Sequence, residues 1–176
     1  MPKRLSLHRI NAYDTALCLR FNRACRWPAV LRFFRAVSRV GDGGIWYVLM
    51  ALLPVLHGPA GWHASLRLVL AGGLGIVIYK WLKVRTLRPR PYQVYSAITA
   101  GTAPLDQFSF PSGHTLHAVS FTWIACSAFP ELTAMLVPLA VLIGLSRPIL
   151  GLHYPSDVLA GAGLGVLVGR LVVCIV

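Results

Sequence analysis

Five long apolar runs leave this chain few folds to choose from. They cover Gly43–Trp62, Ala64–Leu82, Ser112–Pro130, Leu132–Ser146 and Ser156–Val176, and each approaches the ~20 residues a helix needs to cross the hydrocarbon core of a bilayer. The fourth is the shortest and carries Pro138. Composition agrees, with 56% hydrophobic residues, 12% charged residues and a mean hydropathy of +0.66. A soluble domain has about 25% charged residues. The expected fold is therefore all-α: a polytopic membrane bundle of about five transmembrane helices in a single domain over residues 1–176. The basic N-terminus has neither the uninterrupted apolar core nor the small-residue cleavage site of a signal peptide, so no cleavable leader is expected.

The charge is unevenly placed. Of the 17 Lys and Arg residues, nine lie in residues 1–40 and five in residues 80–90, and the net charge is +12. The first block interleaves Leu17, Phe21, Leu31, Phe33 and Phe34 with arginines. That pattern predicts one or two amphipathic helices lying on anionic lipid as an interfacial segment, since the charges are too many for a span. No nucleic-acid-binding module accompanies the basic residues, so nucleic acid is not an expected partner. Cys18, Cys25, Cys126 and Cys174 have neither metal-ligand spacing nor a paired pattern and are expected to be free thiols. The acidic residues are only Asp14, Asp42, Asp106, Glu131 and Asp157, with no cluster suited to a hard cation. Neither a metal nor a cofactor is expected.

One long polar connection, residues 83–111, separates the second and third runs. A loop of that length is usually functional or disordered, and its prolines, including those of "RPRPY", favour an ordered one. If the helices alternate in direction, this loop, the start of the third run, the end of the fourth and the start of the fifth share one face of the membrane. Polar residues that look scattered then converge: "KVRTLRPRP" (Lys83 to Pro91), "PSGH" (Pro111 to His114) and "SRPILGLHYPSD" (Ser146 to Asp157). Cations, two histidines, a carboxylate and a helix N-terminus suit an anion, and phosphate best of all. Guanidinium groups hold phosphate oxygens in pairs, and free backbone N–H groups of a first helical turn add dipole and hydrogen bonds. Gly113 lets that backbone come close to a ligand.

The spacing of His153 and Asp157 allows the carboxylate to reach back to the imidazole, fix its tautomer and leave the other nitrogen free to attack. His114, on another helix, suits the general acid that protonates a departing oxygen.

Together these three motifs resemble the signature of the type 2 phosphatidic acid phosphatase superfamily, the lipid phosphate phosphatases. Lys83 and Arg90-Pro91 match its first motif, Pro111–His114 its second, and Ser146, Arg147, His153 and Asp157 its third. The resemblance implies a metal-independent phosphatase working through a phosphohistidine. His153 would be the nucleophile, Asp157 its orienting group, and His114 the acid and then the base that activates water. Lys83, Arg90, Ser112, Gly113, Ser146 and Arg147 would hold the phosphoryl oxygens. Larger relatives have a full membrane helix where this chain has residues 1–40.

The phosphate motifs do not select a lipid tail. The first expectation is undecaprenyl diphosphate, then phosphatidylglycerophosphate or phosphatidate, then lipid A. Bacterial relatives that recycle polyprenyl diphosphate suggest the periplasmic face of the inner membrane, whereas the N-terminal charge suggests the cytoplasmic side. Two other classes compete: a vanadium-haloperoxidase-like oxidase, disfavoured by the apolar runs, and a non-enzymatic anionic-lipid-binding or transport protein.

Several residues have plainer readings. Arg85 and Arg88 are either substrate contacts or solvated loop residues. His117 supports His114 or is an ordinary helix-face residue. His57 and His63 fall on the opposite face, and Asp42 is expected to cap the first span. Gly161, Gly165 and Gly169 line one helix face for close packing, within the monomer or in a homo-oligomer.

Overall fold

The computed structural model describes the backbone of residues 2–176 and the side chains of residues 12–176. Met1 and the side chains of residues 2–11, which open the expected interfacial segment, lie outside the described residues. The elements are α1 (Pro2–Asn22), a 3-10 turn (Arg23–Arg26), α2 (Pro28–Gly41), α3 (Gly44–Thr86), α4 (Pro91–Val94), α5 (Gly113–Ala128), α6 (Thr133–Ile149) and α7 (Pro155–Ile175). Among the described residues there is no strand.

Helix α3 is two rods joined at a reversal. Gly58 sits at φ 55, ψ −130, a backbone state that glycine adopts at little cost, and Pro59 follows. Beyond it the chain folds back, so that the Ser65 hydroxyl donates to the Met50 carbonyl at 2.7 Å. The reversal falls at Gly58, within the turn expected around His57–His63 between the first two apolar runs. Among the described residues, three helical stretches are long and apolar enough to cross a membrane: Gly44–Val94, which includes both rods, Pro130–Ile149 and Pro155–Ile175. Helix α5 has 16 residues, about 24 Å at 1.5 Å per residue, against a hydrocarbon core of ~30 Å. The five apolar runs fall on the two rods of α3 and on α5, α6 and α7, and among the described residues three stretches meet the length and composition of a span. The chain is an integral membrane protein with an all-helical fold.

Helix α5 forms the centre, packed against α3, α6 and α7. Leu68, Ala71, Leu116, Ile124, Leu136 and Ile143 are buried there. The glycine face of α7 lies on α5 within the chain. A Cβ on Gly161 would stand 2.5 Å from the Ser112 carbonyl oxygen, and one on Gly165 would stand 2.6 Å from that of Leu116.

The N-terminal segment is helical, as its amphipathic pattern suggests, and it also docks on the polar end of the bundle. Asn22 donates to the carbonyls of Thr99 (3.0 Å) and Ile149 (2.9 Å) and accepts from Thr99 N (3.0 Å). Arg35 donates to the Gly101 carbonyl, and Gly41 of α2 packs on Ile143 of α6. The chain's beginning is therefore part of the wall around the loops that follow α3 and α6.

Candidate active site

Local folding sets each polar side chain in place. Ser112 is the N-cap of α5; its hydroxyl oxygen accepts from Thr115 N at 3.4 Å and lies 2.9 Å from Thr115 Oγ1. This puts His114 in the first turn of α5. Arg90 precedes Pro91, whose fixed φ suits the first helical position, and the Arg90 amide donates to Gln93 Oε1 at 2.9 Å. Asp157 sits in the first turn of α7, where Oδ2 accepts from the Tyr154 amide at 2.8 Å.

A cavity of about 930 Å³ opens between the two rods of α3, the loop after them and α5. Lys83, Arg90, Gly113, His114, Arg147 and His153 all line it. Of the expected site residues, Ser112, Ser146 and Asp157 are fully buried behind this group. The Ser146 hydroxyl donates to the Ile143 carbonyl at 2.6 Å, so both serines are engaged in local helix bonds.

The His153 tautomer follows from its partners. Nδ1 lies 2.6 Å from the Ser109 carbonyl oxygen, which can only accept. Nε2 lies 3.2 Å from Arg90 Nη1, which can only donate. Nδ1 therefore carries the proton, and the Nε2 lone pair points at the cations. Burial holds the imidazole well below its ordinary pKa, and the charges of Arg147, Arg90, Lys83 and His114 push the same way. The ring is neutral.

Asp157 is placed differently from the sequence expectation. Its Oδ2 lies 3.7 Å from His153 Nδ1, outside hydrogen-bond range, and the Ser109 carbonyl makes that bond instead. Asp157 Oδ1 accepts from Arg88 at 2.6 Å. The other end of Arg88 donates to Asp14 Oδ2 at 2.7 Å, and Asp14 Oδ1 accepts from Ser156 N at 2.9 Å. Arg88 is thus neither a free loop cation nor in the cavity lining; it joins α1 to the start of α7.

Asp106 bridges two of the cations. Its carboxylate accepts from Lys83 Nζ at 2.6 and 2.5 Å and from Arg90 Nη2 at 2.7 Å. Burial alone would raise the Asp106 carboxyl, but the bond and charge of Lys83, with the charge of Arg90, hold it below its ordinary pKa. Arg147 donates to Ser38 Oγ at 2.6 Å, while its Nε is buried with no hydrogen-bond partner. Asp42 does not cap α3, whose N-cap is Gly43. It pairs instead with His114, Oδ1 to Nε2 at 2.7 Å. His117 lies 3.3 Å from the Gly72 carbonyl and stacks on Phe121. Among the described residues no group of His, Cys, Asp and Glu is arranged to hold a metal ion.

Cations and three histidines line one cavity of a helical membrane bundle, the arrangement expected of a membrane phosphatase. The family model of the PAP2 superfamily matches residues 64–176, and the chain belongs to that superfamily, whose members hydrolyse lipid phosphate esters. It is 31% identical over 147 residues to the decaprenylphosphoryl-5-phosphoribose phosphatase of Mycobacterium tuberculosis, covering 82% of this chain and 80% of that one. The crystal structure of Aquifex aeolicus LpxE superposes with a TM-score of 0.75 at 27% identity, over 90% of this chain and 93% of that chain. The transmembrane PAP2-type phosphatidylglycerolphosphate phosphatase of Bacillus subtilis superposes with a TM-score of 0.73 at 25% identity, over 94% and 85%.

Proposed function

We propose that this enzyme removes a terminal phosphate from a polyprenyl lipid, undecaprenyl diphosphate first, by way of a phosphohistidine on His153. The observation that carries the reading is the state of His153: neutral, with its Nε2 lone pair directed among Lys83, Arg90 and Arg147. Phosphoryl transfer is governed by positioning and by charge on the phosphoryl oxygens. Those three cations and the amide end of α5 at Gly113 supply it, and the unpartnered Nε of Arg147 is a ready donor. As Nε2 bonds to phosphorus, the P–O bond to the leaving group breaks, and His114, entering the step protonated on both nitrogens, gives its Nδ1 proton to the departing oxygen and keeps the Nε2 proton. His114 then takes a proton from water as the water oxygen attacks phosphorus. The P–N bond breaks, and inorganic phosphate and neutral His153 are left. Ser109 fixes the tautomer throughout, and Asp157, at 3.7 Å, supports the positive ring of the intermediate through space.

The tail assignment draws on two supports. The Mycobacterium tuberculosis relative is named for a decaprenyl-linked substrate. The cavity also continues from the cations along Tyr79, Ile76, Gly73 and Val69 on one rod of α3 and Met50 and Trp46 on the other. An apolar lipid tail fits between the two rods. The site is assigned to the periplasmic face of the inner membrane, where polyprenyl diphosphate is recycled in bacterial relatives.

The test is phosphate release by the purified enzyme from undecaprenyl diphosphate, phosphatidylglycerophosphate, phosphatidate and lipid A, with and without a chelator. Turnover of the polyprenyl substrate should lead and survive the chelator. His153→Ala should lower it by on the order of 10³ or more, as loss of a covalent nucleophile does. Near-normal turnover by that variant would sink the mechanism. A clear preference for phosphatidylglycerophosphate would replace the substrate, in line with the Bacillus subtilis structure.

A further inference from the structure

Of the three histidines that line the cavity, the two given roles in the proposed mechanism have partners of opposite character. The Nδ1 proton of His153 goes to a neutral carbonyl, that of Ser109. The Nε2 atom of His114 goes to a carboxylate, Asp42 Oδ1, at 2.7 Å. Asp42 comes from the α2–α3 junction, outside all three polar motifs. Its amide donates to the Arg39 carbonyl at 3.1 Å, and Gly43 follows at φ 132, a backbone state that side chains other than glycine rarely adopt. The turn thus aims the carboxylate at the first turn of α5. The His114 side chain is 12% exposed and that of Asp42 40%, and both line the cavity that holds His153 and Arg147.

A carboxylate only accepts hydrogen bonds. Nε2 of His114 therefore carries a proton at all times, and Nδ1 is the nitrogen that exchanges one. The other charged or titratable groups around the cavity are Arg147 from α6, His117 one turn along α5, Tyr47, Tyr79, Lys80 and Lys83 from α3, and Arg90, Asp106 and His153 from the loops. The ring thus has cations on several sides and one carboxylate, that of Asp42, bonded to it. Asp106 is engaged by Lys83 and Arg90, which leaves Asp42 as the anion bonded to His114.

We propose that Asp42 is the positioning residue of the acid–base step: it holds Nε2–H of His114, directs Nδ1 to the leaving oxygen and offsets the positive charge of the protonated ring. This rests on the assignment of His114 as acid in the proposed mechanism. It also explains why the two imidazoles take different roles. A nucleophile needs its lone pair and is given a carbonyl. An acid needs its proton and is given a carboxylate.

The experiment compares two leaving groups in the full-length enzyme. A long-chain alkyl phosphate departs as an alkoxide and needs a proton; p-nitrophenyl phosphate departs as a stabilised anion and does not. Asp42→Asn should lower kcat on the alkyl phosphate by about 10–100-fold, part of the 10²–10⁴ that general acid catalysis contributes. On p-nitrophenyl phosphate the fall should be under about threefold, since that acid contribution is not needed there. The alkaline limb of kcat/KM for the alkyl phosphate should move to lower pH by about one unit, the direction expected when a neighbouring anion is lost. Asp42→Glu, which keeps the charge, should keep the limb in place even if kcat falls, and serves alone if the Asn variant does not fold. Equal losses on both substrates with an unmoved limb, or a displaced limb in Asp42→Glu, would reduce Asp42 to a structural turn residue and overturn the proposal. His114→Ala separates the two levels: if it spares alkyl phosphate turnover, the acid assignment itself falls.

Discussion

An imidazole enclosed by guanidinium and ammonium groups is stable only in its neutral form, and His153 is 1% exposed among three of them. The unfolded chain has no such constraint and takes up a proton at this residue near pH 6.5. Because the folded value is lowered, the unfolded state binds more protons as pH falls through 6.5 towards that value, so this residue's effect is to lose stability in that window. Melting of the wild type and of His153→Gln between pH 7.5 and 5.5 should show the wild type losing ground by up to about 1.4 kcal/mol per pH unit. Parallel curves would mean that His153 is protonated in the fold. The spacing of Lys83, Arg90, His114, Arg147 and His153 was enough to bring them to one site, because each sits in a short motif next to a helix end. Ser109, Asp14, Asp42 and Asp106 were not legible in that way. Asp14 meets Ser156 142 residues away, Asp42 meets His114 72 away and Ser109 meets His153 44 away. No local spacing encodes such contacts. One signal did exist: of five acidic residues in an apolar chain, four are aspartates, and all four lie in or beside the site. Ionisable groups in membrane proteins are costly and so tend to be functional.

Among the helices, the contact of α7 with α5 depends on glycine at successive turns: Gly161, Gly165 and Gly169. Gly161 and Gly163 are two residues apart and have opposite surroundings. A Cβ on Gly161 would meet the Ser112 carbonyl at 2.5 Å, whereas one on Gly163 would meet nothing within 4 Å. Gly161→Ala should therefore cost about 1–3 kcal/mol, the usual range for overpacking, and should also lower activity, because it displaces the residue that caps α5 ahead of His114. Gly163→Ala should be neutral or gain up to ~1 kcal/mol from helix propensity. Thermal melting in detergent with an activity assay checks both, and equal effects would contradict the packing described. The glycine periodicity was plain in the sequence; its partner helix was not. The α3 reversal shows a similar division. The stretch His57–His63, with the Gly58-Pro59 pair as a local turn signal, marked the turn, but not the pairing of the two rods that brings Ser65 back to Met50. Likewise the amphipathic character of residues 1–40 predicted helices but not their docking, which depends on Asp14, Asn22 and Arg35 reaching loops far along the chain.

For the molecule as a whole, all the polar machinery lies at one end of the bundle, and the Gly58 reversal lies on the strand of chain that leads away from it. Sidedness can be read with single cysteines in a background lacking the four native ones. Ala97, in the loop after α4, and Ala60, just past the reversal, are both exposed. In intact cells a cysteine at Ala97 should react with a membrane-impermeant maleimide, and one at Ala60 should not. The reverse pattern would put the site in the cytoplasm. The tie from Asp14 through Arg88 to Asp157 and Ser156 has a further consequence, for the order in which the enzyme comes into being. Its partners are far apart in the order of synthesis. A nascent chain that has already threaded α3, α5 and α6 into the bilayer carries the cations and His114, but it lacks His153, and α1 has nothing at α7 to clasp. On the proposed mechanism the catalyst appears only when α7 is delivered, and a copy that stops at α6 has no nucleophile with which to strip phosphate from the membrane into which it is being built.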